Sequence, residues 1–314
     1  MESSGSIGLA AGFVVAAAAA VGAYRVRGST AVPAAWWGIA AGLALAAERF
    51  SANPPADDAA TLACRRLCLV ALGLCPGMSL LGAKRPQHGV WQAIVASLAV
   101  VILLPAATAA LVRPGSPPDV HLLSRFLVAA IIAVGWLNHA ATRRAAPAAA
   151  LALGQALLAR PFLPWGSGAV AAGDPVDALG TGLVVVAVVA AAVWPAAPRT
   201  GPHGSRPEGD PSAAWRGTEA AWIAFRETFG AAWTLRVAER FDTVAREQGW
   251  PCRLAWAGCE AGAGGPADWP RDARRTFIAL LRRFVTPAWL ERHGLPVRYP
   301  AGPFRMDRGP EPLP

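Results

Sequence analysis

Charge is what this sequence has least of. Only 16 % of its 314 residues are Asp, Glu, Lys or Arg, against about 25 % in ordinary soluble domains. With 54 % of the chain hydrophobic, that is a membrane composition. Cysteine is sparse and unpatterned: five residues, no CxxC, and an odd count, so neither a disulfide framework nor a thiolate zinc module is indicated. No P-loop, no GxGxxG after a strand, no HExxH, no GxSxG elbow and no kinase set occurs. The Gly-rich stretch Gly262–Gly265 follows no strand–loop–helix unit and reads as a loop. A cleaved signal is also missing. The alanine-rich core near the start has Glu2 before it and Arg25 and Arg27 after it, the reverse of a basic n-region. It reads as an uncleaved first span with its N-terminus outside.

What is present is a series of apolar blocks. Seven can be drawn: Ile7–Tyr24, Val32–Ala47, Ala60–Ala83, Val90–Val112, His121–Thr142, Pro147–Leu163 and Ala178–Ala197. The last is the cleanest, about 20 residues without a charge, the length of one bilayer crossing. The second and sixth are short, so six spans is the competing count. Connectors after odd blocks carry basic pairs: Arg25 and Arg27, Lys84 and Arg85, Arg143 and Arg144, then Arg199 and Arg206. Connectors after even blocks are mixed or acidic. By the positive-inside bias this places the N-terminus outside and the C-terminus in the cytoplasm of an inner membrane. The same bias accounts for the net charge of +9, so no nucleic-acid partner is expected. Arg65 and Arg66 resist the pattern and are expected to snorkel or to pair with Asp57 and Asp58. No carboxylate is expected deep in a span, which weighs against a proton-coupled transporter. Gly8/Gly12, Gly38/Gly42 and Gly73/Gly77 have the small-xxx-small spacing of close helix packing.

Residues 199–314 carry 30 of the 49 charges and form a different region. A Gly/Pro linker at 199–211 leads into a mainly helical domain at 212–299, followed by a Pro-rich, disordered tail at 300–314. Within the domain, Trp222, Phe225, Phe229, Trp233, Val237, Phe241 and Val244 recur at helical spacing, which predicts one long amphipathic helix over Ser212–Gln248, with Gly230 as its weak point. Cys252, Leu254 and Trp256 alternate as a strand, and so do Leu295, Val297 and Tyr299; the two are expected to pair as a small ribbon. Asp268 is placed as the cap of a helix over Trp269–Val285, and Thr286 as the cap of a third over Thr286–His293.

The candidate functional residues fall in four sets. His88 and His139 flank the cytoplasmic face, where two imidazoles could hold haem or a metal; the bland reading is polar residues at helix ends. Cys64, Cys68 and Cys75 share a helical face and read as small apolar residues. Arg271, Arg274, Arg275, Arg282 and Arg283 surround the apolar face of the second soluble helix and suit an anionic leaflet. Any uncovered part of the Trp222/Phe229/Trp233 stripe would suit a protein partner. The apolar residues Phe277, Leu280, Leu281 and Phe284 are expected to pack on that stripe.

The stretches GAKRPQHGVWQ and FRETFGAAWTLRVAERF resemble segments of uncharacterised bacterial multi-pass membrane proteins. The resemblance spans about a fifth of the chain and implies no activity and no functional residue. The reading is an all-α membrane protein of about seven transmembrane helices at 1–198 with a small cytosolic helical domain. It is expected to be a non-enzymatic anchor or scaffold without cofactor, in contact with the bilayer and a protein partner. The alternatives are a haem- or metal-binding redox subunit using His88 and His139, and a small-solute transporter or channel.

Overall fold

The structure is a computed structural model that describes residues 2–51, 59–84, 88–166, 169–171, 173–193, 215 and 217–295. Seven helices come first: α1 (Glu2–Arg25), α2 (Val32–Ser51), α3 (Ala59–Leu81), α4 (His88–Val112), α5 (Leu122–Leu137), α6 (Ala145–Ala159) and α7 (Pro175–Val193). A 3-10 turn, Arg160–Phe162, extends α6. The C-terminal part contains α8 (Glu219–Glu247), strands β1 (Cys252–Leu254) and β2 (Cys259–Ala261), α9 (Trp269–Leu281) and α10 (Pro287–Arg292).

Four of the seven helices are long and apolar enough to cross a membrane: α1, α3, α4 and α7. Seven spans are therefore not supported by length and composition. The physical reasons differ. α5 has 16 residues and α6 has 15, or roughly 24 Å and 22 Å against a hydrocarbon layer of about 30 Å. α2 has 20 residues, but two tryptophans and the Glu48–Arg49 pair dilute it.

Close packing in the bundle follows the small residues. A Cβ on Gly12 would lie 2.4 Å from the Ala46 nitrogen, and one on Gly42 would lie 2.6 Å from the Ala16 nitrogen. α1 and α2 thus meet backbone to backbone, as their glycine spacing suggests. α3 is the central helix; Leu67, Ala71, Leu74 and Cys75 on it are fully buried and pack with Val95 and Ile102 of α4 and Val128 of α5.

The C-terminal part has its own aromatic core. Trp215, Trp222, Phe225, Phe229, Phe241 and Phe277 are all fully buried. Trp215 stacks on Phe241 at 4.8 Å between centroids, and Phe284 meets Phe225, Phe229 and Trp233 edge-on. The stripe expected on α8 is therefore real and is covered by α9 and the turn after it. α8 is not one continuous helix, however. Gly230 has φ +73° and breaks it into two pieces, a conformation that Gly adopts without a Cβ penalty. The expected start at Ser212 lies outside the described residues.

The ribbon forms, but with another partner. β1 pairs antiparallel with β2, Leu254 opposite Cys259. The expected strand around Leu295 is not one: Leu295 is buried irregular backbone, and Val297 and Tyr299 lie outside the described residues. Closing a short local loop costs less chain entropy than bringing a strand back across α9 and α10. Asp268 makes no side-chain cap bond, while Thr286 does cap α10, accepting from the Trp289 N–H. The linker at 199–211 and the tail at 300–314 lie outside the described residues.

Candidate functional site

The C-terminal part is joined to one end of the bundle through three turns. At the turn between α1 and α2, the Thr30 N–H donates to the Phe284 carbonyl (2.8 Å) and the Thr286 N–H donates to the Gly28 carbonyl (2.7 Å), with Ser29 bridged to Val285. The Arg292 guanidinium donates to the Arg27 carbonyl. At the end of α3, the Trp233 indole donates to the Leu80 carbonyl (3.0 Å). At the turn between α5 and α6, Trp256 donates to the Ala141 carbonyl (3.0 Å), and the Arg143 N–H donates to Glu227 (3.1 Å). These turns follow α1, α3 and α5.

Asn138 is the densest point of this seam. Its carboxamide donates to the Phe229 carbonyl (3.1 Å) and accepts from the Ala232 N–H (3.0 Å), and its own carbonyl accepts from the Ala231 N–H (2.7 Å). These bonds satisfy backbone groups that the break at Gly230 strips of helical partners. A Cβ on Gly230 would lie 2.4 Å from Asn138. The positive φ and the close approach both require glycine there.

The basic residues of α9 and the turn after it are placed as follows. Arg271, Arg275, Arg282 and Arg283 are exposed, and Arg274 is half-buried. Arg275 reaches Asp272 at 3.5 Å. Arg282 and Arg283 immediately precede the Phe284–Thr286 segment that pairs with the turn between α1 and α2. Exposed Arg25, Arg27 and Arg292 lie at that same edge, with Glu291 the acidic residue beside them. By contrast, Trp222 and Phe229 are fully buried and Trp233 is packed against the core. Trp222 and Phe229 are thus covered, while Trp233 keeps part of its surface exposed.

Of the histidine pair, His88 opens α4, and its side chain lies outside the described residues. His139 is half-buried in the turn after α5, and its Nδ1 is sealed from solvent with no hydrogen-bond partner. Burial, with Arg144 nearby, pushes its pKa down to about 4, so the imidazole is neutral near pH 7. Among the described residues no group of three or more His, Cys, Asp and Glu could hold a metal ion. The cysteines are all free thiols; burial pushes Cys252 and Cys259 up to about 12, which leaves almost no nucleophilic thiolate at neutral pH.

One cluster escaped the sequence reading. Arg66 of α3 is buried and donates to Glu48 of α2 (2.7 Å) and to Asp177 of α7 (2.7 Å). Arg49 adds a bond to Thr181 (2.9 Å). The expectation that Arg66 snorkels or pairs with Asp57 and Asp58 is replaced by this pairing, and Asp57 and Asp58 lie outside the described residues. Glu48 and Asp177 lie in the last turn of α2 and the first turn of α7, near the helix ends as expected, but they are buried there, each 3 % exposed. The signal was there, a Glu near the end of one apolar block and an Asp near the start of another, but only three-dimensional packing brings both to Arg66.

Together these features define a class: a helical protein with four membrane-length helices and an aromatic C-terminal part built onto one end of the bundle. No family model, curated protein or solved structure matches the chain.

Proposed function

We propose that this chain is a multi-pass protein of the inner membrane, N-terminus outside, that acts as a non-enzymatic anchor holding its C-terminal part against the cytoplasmic leaflet. The observation that carries this reading is the backbone pairing of Gly28 and Thr30 with Thr286 and Phe284. It ties the arginine-bearing end of α9 to the turn that carries Arg25 and Arg27. In a membrane, that turn sits at headgroup level, and each exposed base there contributes on the order of 1 kcal/mol of attraction to an anionic leaflet. The outer face of the bundle supports the membrane setting. Leu111, Val112, Leu123 and Val186 are between 62 % and 82 % exposed, large apolar side chains that lipid tails would cover. Leu123 and Phe126 also favour an apolar surrounding for the short helix α5.

The test compares thermal unfolding of the full chain in nanodiscs of pure phosphatidylcholine and in nanodiscs with phosphatidylglycerol. The expected result is a higher Tm with the anionic lipid. The gain should shrink in high salt and in a variant with Arg271, Arg275, Arg282 and Arg283 all replaced by Gln. Equal Tm in both lipids, or a gain untouched by the four replacements, would remove the basis of the headgroup contact.

A further inference from the structure

The end of the bundle that meets the C-terminal part gathers positive charge at a second place. The turn between α5 and α6 brings Arg143 and Arg144, α1 ends on Arg25, and α8 adds Arg226. Glu227 is the carboxylate whose charge reaches Arg144, and both of its oxygens are taken. Oε1 accepts from the Arg226 guanidinium (2.7 Å and 3.1 Å), and Oε2 accepts from the Arg143 N–H (3.1 Å). Arg144 is left over. Its half-buried guanidinium makes no hydrogen bond and no ion pair among the described residues. Burial pushes its pKa down; Glu227 opposes that shift and the positive charge of Arg25 adds to it. Arg25 is thus close enough for the two cations to repel, and an anion held beside both relieves the repulsion.

The turn that carries Arg144 is fixed by the seam. Trp256 donates to the Ala141 carbonyl. The Thr142 hydroxyl donates to the His139 carbonyl (2.8 Å) and accepts from the Arg144 N–H (3.1 Å). An incoming anion therefore meets an arginine whose backbone is already ordered, which lowers the cost of binding. One backbone donor stands next to it. At the start of α6 the Ala145 N–H bonds to the Thr142 carbonyl, Pro147 has no N–H, and the Ala148 N–H bonds to the Arg144 carbonyl; the exposed Ala146 N–H has no partner among the described residues.

We infer that Arg144, with Arg25 beside it, binds one phosphate group, the phosphodiester of an anionic lipid headgroup. This rests on the reading that places this end of the bundle at the cytoplasmic headgroup level. A guanidinium offers two parallel N–H donors that match two phosphate oxygens, and basic pockets between helices at the cytoplasmic face take lipid headgroups in this way. The arginines of α9 differ in kind. Arg271, Arg275, Arg282 and Arg283 are exposed and attract the leaflet as a whole, whereas half-buried Arg144 holds a single headgroup.

The probes are dihexanoylphosphatidylglycerol, dihexanoylphosphatidylcholine and inorganic phosphate, each titrated into the full chain in dodecyl maltoside and followed by phosphorus NMR. The glycerol lipid should bind saturably at one equivalent. The choline lipid should bind about ten-fold more weakly, because the arginines repel its ammonium group. Inorganic phosphate should bind more weakly than the glycerol lipid; equal or tighter binding would assign the site to phosphate from solution and overturn the lipid. Arg144→Gln should weaken the glycerol lipid by about ten-fold or more, the worth of a charge-assisted hydrogen bond. Arg144→Lys should restore part of that loss, and Arg25→Gln should cost several-fold. Without lipid, Arg144→Gln should melt no lower than wild type, since the cation it removes has no bonded partner; a marked fall in Tm would make Arg144 a structural partner of Glu227 and overturn the site. Absence of saturable binding, or binding untouched by Arg144→Gln, would overturn it as well. The variant with Arg271, Arg275, Arg282 and Arg283 replaced by Gln should bind the glycerol lipid as wild type does. Binding lost there and kept in Arg144→Gln would remove this site and leave the arginine edge standing. Equal Tm in the two nanodiscs, with saturable binding at Arg144, would remove the edge alone.

Discussion

Two residues, Gly230 and His139, carry strain and burial that the rest of the structure must support. Gly230→Ala places a methyl carbon into Asn138 and forces a side chain into φ +73°. Strain of that kind costs on the order of 1–3 kcal/mol, and loss of the Asn138 bonds adds to it, because orphaned buried groups cost about 1–3 kcal/mol each. The expected outcome is a clear drop in Tm for Gly230→Ala, and a smaller one for Asn138→Ala, which loses bonds without the clash. A helix that simply straightened would instead gain stability from alanine, and a raised Tm would show that. His139 adds a pH dependence. Its folded pKa is depressed to about 4 from an ordinary 6.5, so between those values the unfolded chain binds more protons than the folded one. Stability from this residue is therefore complete above pH 6.5 and falls as the pH drops toward 4, by on the order of 3 kcal/mol in all. Unfolding of wild type and His139→Gln should diverge across that window, the variant losing less. Parallel curves would mean that the imidazole is not held neutral.

Element by element, the sequence is most legible where one face is enough. The apolar blocks become helices close to their expected bounds, because hydropathy and proline or glycine boundaries are local. The stripe from Trp222 to Phe241 reads correctly as a buried helical face for the same reason. What could not be read depends on distant neighbours. The break at Gly230 exists because Asn138, far away in sequence, supplies the lost backbone partners. The partner of β1 is set by a local turn whose residues, Ala255 to Gly258, carry no strong hairpin signal. The pairing of Glu48, Arg66 and Asp177 is of the same kind, three charges from three helices. It fixes α2, α3 and α7 together, and removing one member leaves the others buried without compensation. Arg66→Met should destabilise by about 3–5 kcal/mol. The triple replacement Glu48→Gln, Arg66→Met, Asp177→Asn should recover much of that, since no net charge is then stranded. A triple variant as unstable as Arg66→Met alone would show that the pairing is not what makes the single change costly.

Over the whole molecule, the contrast between an apolar helical N-terminal part and a charged C-terminal part is legible from charge density, but their relation is not. A Gly/Pro-rich connector suggests a tethered, independent domain. The structure instead runs one aromatic core across the boundary: Ala31 and Ala83 of the bundle turns are buried in the same cluster as Trp222, Phe229 and Phe277. Backbone bonds at Gly28, Thr30, Leu80, Asn138 and Ala141 fasten the same seam. Attachment then rests on the interface, with residues 199–211 supplying only proximity. A protease site placed in that stretch tests this directly. After cleavage in detergent, the fragment containing α8 to α10 should co-elute with the bundle, and Gly230→Ala should loosen it. Trp233→Ala should do the same, since it removes both the bond to Leu80 and the contact with Phe284. A cleaved wild-type fragment that elutes alone and folded would return the C-terminal part to the status of a tethered domain. Anionic headgroups, rather than the seam, would then have to hold it at the membrane.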